Sequence, residues 1–192
     1  MPRIETQTLA QHRDWRRNQL IEAAASIALE SGGSAVTVAA VAQRAGLSRT
    51  SVYEYFCSSA DLIAALVLEE LNNFADYLNQ SVAQTEQPVE SIAAWIHSAL
   101  TYIADGRHLL AKALNATSLP QERSAAIGGA HRALLAPLVK GLSAMGIKDT
   151  QRALLFIQAI TDASTKRIES GHDAEAEIKS ATTFCIAGLA SI

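Results

Sequence analysis

The chain has 192 residues, 49% of them hydrophobic, only 5% aromatic, with four prolines and a formal net charge of −3. That is enough chain for one large core or two small ones, and its alanine-rich, proline-poor composition favours helix. No apolar run is long enough to span a bilayer and the polar N-terminus lacks a signal-peptide core, so a cytoplasmic protein with no membrane partner is expected; Cys57 and Cys185 have no neighbouring Cys or His at zinc spacing, which leaves reduced thiols and no metal or cofactor.

Residues 1–12 show no clear period and read as a flexible arm. Leu20, Ile21, Ala24, Ile27 and Ala28 recur at helical spacing and predict a first helix over 14–31, stopped by Gly32 and Gly33. Thr37 is placed to cap a second helix with Val38, Val41, Ala42 and Ala45 inward, and Gly46 ends it. Leu47 follows as a plug into the core, and Ser48 caps a third helix with Val52 and Phe56 inward. Ser58 and Asp61 have capping-box spacing. They open a fourth helix over 59–82, with Leu62, Leu66, Phe74, Tyr77 and Leu78 on its buried side.

Further helices are predicted over 89–104, 107–117, 120–145, 149–170 and 173–190, with Pro137 kinking or interrupting the third of these. The predicted fold class is all-α: an N-terminal three-helix head with a helix-turn-helix, joined to a C-terminal helical bundle, about nine helices in total. The expected domains are residues 1–58 and residues 59–192. The head carries six basic and five acidic side chains, the remainder ten and fourteen. A slightly basic head on an acidic body suits a head that meets nucleic acid and a body that does not.

The stretch Ala45-Gly46-Leu47-Ser48 supplies a helix end, a left-handed glycine, a buried plug and a new cap. The helix that follows presents Arg49, Thr50 and Ser51 at its N-terminal end, where a helix lying in the major groove meets base edges. Arg can bond guanine at two points, and Thr can bond a base edge or touch a thymine methyl. Tyr53 and Tyr55 carry hydroxyls that can reach phosphates, Arg16 and Arg17 can add charge contacts, and the amides near Thr37 and Ser48 can hold anions. Arg44, at the end of the second helix, is a further candidate. A glycine-centred turn alone is common in helical proteins, the two tyrosines could be half-buried aromatics, and Arg44 could be a solvated charge. It is the joint register that points to double-stranded DNA.

This stretch resembles the TetR family of bacterial transcriptional repressors over residues 17–66. The resemblance rests on LIEAA at 20–24, Gly32, Thr37-Val38, Val41-Ala42, Ala45 to Ser48, Val52-Tyr53, Tyr55-Phe56 and Ser58 with Asp61-Leu62. It implies base or phosphate contacts from Thr37, Ser48, Arg49, Thr50, Ser51, Tyr53 and Tyr55. Two positions depart from the pattern. Many members place a Lys just after the cap of the fourth helix, where it holds a phosphate; Ser59 stands there, which implies a shallower salt dependence. Many have a Phe where this chain has Ala28, which implies a head core repacked around Leu29 or Tyr53.

The resemblance further implies a body that pairs two subunits and holds a small molecule. The segment from Ala153 through Leu155, Ala159 and Ala163 is apolar around most of its circumference, and a helix without a polar face is buried on both sides. With Ile178, Ala181, Phe184 and Gly188 of the last helix it is expected to form a four-helix homodimer interface; a buried central helix in a monomer is the alternative. Phe74, Tyr77, Trp95, Tyr102, His108, Phe156, Thr161 and Asp162, with His97 and Met145, could frame a mostly apolar effector pocket, although each taken singly suits ordinary core packing. The expected function is a dimeric repressor on a near-palindromic operator, released by an unidentified small molecule. The alternatives are an activator or ligand-independent DNA binder on the same fold, and a helical metal- or cofactor-dependent enzyme, for which only Glu169 and His172 have the ligand spacing.

Overall fold

The computed structural model describes residues 9–114 and 120–191. Among them are nine α-helices and no strand: α1 (Leu9–Ser31), α2 (Val38–Arg44), α3 (Arg49–Tyr53), α4 (Ser59–Val82), α5 (Pro88–Ala104), α6 (Leu109–Leu114), α7 (Ser124–Ala144), α8 (Thr150–Glu169) and α9 (Ala174–Leu189), with short 3-10 turns at Gly33–Ala35 and Gln121–Arg123. The expected all-α class holds. The chain divides into two compact units, one drawn from Met1–Glu69 and Leu110–Ala125, the other from Glu70–Leu109 and Ala126–Ile192.

Local chemistry sets the helix ends. Thr37 accepts the amide of Ala40 at 3.1 Å, and Ser48 accepts that of Ser51 at 3.1 Å, each cap worth about 1 kcal/mol. Between them α2 ends in a left-handed turn: Gly46 has φ 67° and the Leu47 amide reaches back to the Ala42 carbonyl at 2.9 Å. A side chain at position 46 would be strained by its backbone alone. Ser58 accepts the Asp61 amide at 3.1 Å as expected at the start of α4, but Asp61 accepts the amide of Cys57 at 3.0 Å, one residue before the cap, rather than that of Ser58, so only the first half of the expected capping box is formed. Asp149 and Asp173 cap α8 and α9 in the same way.

The head core joins Leu20, Ile21, Ala24, Ile27, Ala28, Val38, Val41, Ala42, Val52, Phe56, Leu62 and Leu66, as the spacing predicted, with Leu47 half-buried against it. The predicted repacking around Leu29 or Tyr53 does not occur: these are 56% and 57% exposed. The core is completed from an unexpected direction, by Leu110 and Leu114 of α6.

In the second unit, Leu78, Ile92, Trp95, Ile96, Leu100, Leu134, Leu138, Leu142, Ile157, Ile178 and Cys185 form a separate core. Gly141 permits the close approach of α7 to α5, since a Cβ there would stand 2.9 Å from Ile92. Helix starts differ from expectation in α1 and α6. α1 begins at Leu9, so residues 9–12 are helix rather than a flexible arm; the rest of that arm, residues 1–8, lies outside the described residues. α6 starts at Leu109 rather than at residue 107; it is described as far as Leu114, and residues 115–117 of the predicted helix lie outside the described residues. Of the two outcomes expected at Pro137, a kink or an interruption, the second is excluded, since α7 runs through it from Ser124 to Ala144. No helix among the described residues is long and apolar enough to cross a membrane.

Candidate nucleic-acid interface

α3 has one buried side chain, Val52, which anchors it to the head core. The opposite side is open: Ser48, Arg49 and Thr50 are exposed, Ser51 is half-exposed, and Tyr53 is 57% exposed. The hydroxyls of Ser48 and Ser51 bond each other at 2.9 Å, which holds the first turn in a fixed form. Tyr55 is half-buried, with part of its ring against the core. Thr37 is exposed at the start of α2.

The basic side chains of the head have different fates. Arg44 is committed within the head: it donates to Glu30 at 2.6 and 2.7 Å and to Ser26. Those Arg44 hydrogen bonds, with one from Ser26, hold the Glu30 carboxyl down to about 2. Arg17 lies half-buried with its guanidinium 5.8 Å from the Phe56 ring. Arg49 projects from α3 with no acidic partner among the described residues. Ser59, where a lysine would suit a phosphate, turns its hydroxyl inward to accept the Val38 amide at 3.2 Å, tying the start of α2 to α4.

Sequence reasoning missed His12 and Arg13. They lie on the early turns of α1 and, with Arg16, Glu54 and Tyr55, line an open cleft of about 430 Å³. The signal was present in the basic run His12-Arg13 and Arg16-Arg17, but it becomes a surface only once the segment is known to be helical.

In the second unit the candidate pocket residues separate. Phe74 stacks on Tyr102 with centroids 4.4 Å apart, Tyr77 leans on Tyr102 at 5.5 Å, and the Arg107 guanidinium covers both tyrosines at 4.6 and 5.3 Å. Burial, and then the nearby Glu70, push the Tyr102 phenol upward, while Arg107 opposes them. Trp95 is sealed in the core, its indole N–H donating to the Leu134 carbonyl at 3.1 Å. His108 bonds Glu169 at 2.8 Å, and its Nδ1 is buried without a partner. Thr161 bonds carbonyls of its own helix, and Asp162 is exposed. His97 is exposed and Met145 half-buried against the core.

Phe156 does not face this interior: it is 53% exposed and shares an almost wholly apolar groove of about 410 Å³ with Ala159, Phe184, Gly188 and their neighbours. The helix turn that buries Ile157 necessarily sends Phe156 outward. Of the residues expected at the dimer interface, Leu155, Ala159, Ala163, Phe184 and Gly188 are exposed on α8 and α9, whereas Ile178 and Ala181 are buried in the unit's own core. Among the described residues no group of three His, Cys, Asp or Glu side chains could hold a metal ion.

Residues 20–66 match the model of the bacterial regulatory proteins, tetR family. The chain is 36% identical over 96 residues to the HTH-type transcriptional regulator BetI of Brucella anthropi, covering 50% of this chain and 46% of that one. It is 28% identical over 91 residues to the HTH-type transcriptional activator FasR of Mycolicibacterium smegmatis, covering 47% and 42%. The match thus spans less than half the length of these curated relatives. The fold is similar to that of the transcriptional regulator FadR from Bacillus subtilis in complex with stearoyl-CoA, with a TM-score of 0.72, 22% identity and coverage of 89% of this chain and 98% of that one. It is also similar to a TetR-like transcriptional regulator from Rhodococcus sp. RHA1, with a TM-score of 0.70, 19% identity and coverage of 92% and 97%.

Proposed function

From the premise that this chain belongs to the TetR family of bacterial regulators, we infer that it represses transcription as a dimer on a near-palindromic operator and is released by a small molecule. The observation that carries the DNA-binding part is the exposed face of α3, Ser48 through Tyr53, anchored behind by Val52 inside the matched segment. Arg49 and Thr50 are assigned to base edges, and Ser48, Ser51, Thr37, Tyr53 and Tyr55 to positioning on the backbone. Arg16 and Arg17 add backbone charge contacts. Arg44 serves the head by holding Glu30. The enzyme alternative finds no support in a family of regulatory proteins.

The second copy of this chain is assigned to the apolar strip of Leu155, Phe156, Ala159, Ala163, Phe184 and Gly188. Three large side chains there, Leu155, Phe156 and Phe184, are 59%, 53% and 68% exposed, and an apolar patch of this kind marks a partner surface. Two-fold pairing would set two α3 helices about one DNA turn apart. The effector is assigned to the cluster of Phe74, Tyr77 and Tyr102, where rings and a polar rim meet; the fold neighbour holding stearoyl-CoA supports a ligand-carrying body. Coupling on the order of 1–3 kcal/mol between the two sites is sufficient, and DNA must weaken effector binding by the same factor.

The test is selection of duplexes from a randomised pool by the purified full chain. Enrichment of sites with two-fold symmetric half-sites supports the reading; enrichment of asymmetric single sites removes the dimeric part, and no enrichment removes the whole.

A further inference from the structure

We propose that the early turns of α1 form a second anchor for the DNA backbone, gripping a phosphodiester that flanks the bases met by α3. The inference rests on the DNA-binding reading above and adds to it a surface that α2, α3 and α4 do not contain. His12, Arg13 and Arg16 stand on one wall of the cleft of about 430 Å³, and Glu54 and Tyr55, just beyond the end of α3, stand on the other. The cleft therefore continues the exposed strip that begins at Ser48. Two guanidinium groups and an imidazole face a single carboxylate.

Not every polar group of the head is open to an anion in this way. Arg44 is neutralised by Glu30, and the Ser59 hydroxyl is spent on the Val38 amide. Arg13 and Arg16 have no acidic partner among the described residues, and Arg13 is exposed. A planar guanidinium fork fits the two free oxygens of a phosphodiester, and the Tyr55 hydroxyl can donate to the same group. Trp15, 50% exposed with its ring 5.9 Å from that of His12, adds a flat apolar surface beside that imidazole. Glu54 opposes an anion here, so its charge sets how tightly the cleft closes on the backbone.

The experiment measures affinity against salt for a duplex of about 30 bp selected by the wild-type chain, long enough for two half-sites. The comparison is between wild type, the double variant Arg13→Gln/Arg16→Gln, Glu54→Gln, and a control, Arg132→Gln, on the exposed face of α7. Each phosphate contact contributes roughly 0.9 to the slope of log K against log salt. The double variant is expected to flatten the slope by about 0.9 per head, so that raising salt from roughly 50 to 200 mM costs it about three- to fourfold less affinity per head than wild type. Its ranking of mutated sites should stay that of wild type, because backbone contacts carry no sequence information. Glu54→Gln should tighten binding most at low salt, and Arg132→Gln should change nothing.

An unchanged slope in the double variant, with helicity intact by circular dichroism, overturns the α1 anchor and leaves the reading of α3 standing. A changed site ranking with an unchanged slope overturns it too. If the wild-type chain selects no duplex, the functional reading itself fails, and the anchor fails with it.

Discussion

Arg123 donates two hydrogen bonds, of 2.9 and 2.6 Å, to a single carboxylate oxygen of Asp61, the residue whose other oxygen accepts the Cys57 amide. Asp61 thus closes the turn between α3 and α4 and at the same time ties the segment after α6 to the head. Leu110 and Leu114 do the same through the core. The Asp61 side chain is 15% exposed and that of Arg123 40%, so the pair is only partly screened. Arg123→Ala should cost the head about 1 kcal/mol in urea unfolding. Asp61→Ala should cost more, about 2 kcal/mol, because it also frees the Cys57 amide. Leu114→Ala should cost roughly 2–5 kcal/mol. Equal effects of the first two would mean that Asp61 does nothing beyond pairing with Arg123.

Acid should weaken the head through Glu30. Its carboxyl is held well below the usual carboxylate range, down to about 2, chiefly by the Arg44 guanidinium. A depressed carboxylate stabilises the fold above its unfolded value and loses that contribution as pH falls towards its folded one. The stability gap between wild type and Glu30→Gln should therefore be constant above about pH 5 and shrink towards pH 2. The pair is exposed, so added salt should narrow the gap. Urea midpoints across this range measure it, and a gap that does not vary with pH contradicts the assignment.

The two thiols should behave differently. Cys57 is exposed, while burial pushes the Cys185 thiol up to about 11. With a disulfide reagent near pH 8, the native chain should release one equivalent quickly from Cys57 and the second only on unfolding. Cys57→Ser should abolish the fast phase; rapid reaction of Cys185 in that variant would contradict its burial.

The exposed apolar strip gives a direct test of pairing. Phe184→Glu and Phe156→Glu should shift the chain from dimer to monomer in light scattering, with helicity retained, since both rings are exposed within one chain. A wild-type chain that is monomeric at micromolar concentration would contradict the assignment.

The head was legible in the sequence because its information is local. Caps at Thr37 and Ser48, the left-handed Gly46 and the helical spacing of Val41, Val52 and Phe56 each act within a few residues, and together they leave one arrangement. The start of α1 was not legible: residues 9–13 carry no apolar stripe, and nothing in their spacing separates helix from coil. The entry of Leu110 and Leu114 into the head core depends on contacts across roughly half the chain, which periodicity does not record. In the body, a continuous apolar run such as Leu154 to Ile157 marks burial without saying which side faces a core, and so Phe156 was placed inward when Ile157 holds that position. The pairing of Arg44 with Glu30 was not legible either, because the two stand fourteen residues apart on different helices.

The central claim is that the open face of α3 reads base sequence, and the most direct measurement is the affinity of Arg49→Ala and Thr50→Ala for duplexes selected by the wild-type chain, alongside an unrelated duplex. Each substitution should weaken binding to the selected site by about 1–3 kcal/mol, roughly five- to 150-fold, and relax preference at particular base pairs while leaving much of the binding to unrelated DNA. Full affinity and unaltered base preference in both variants would contradict it.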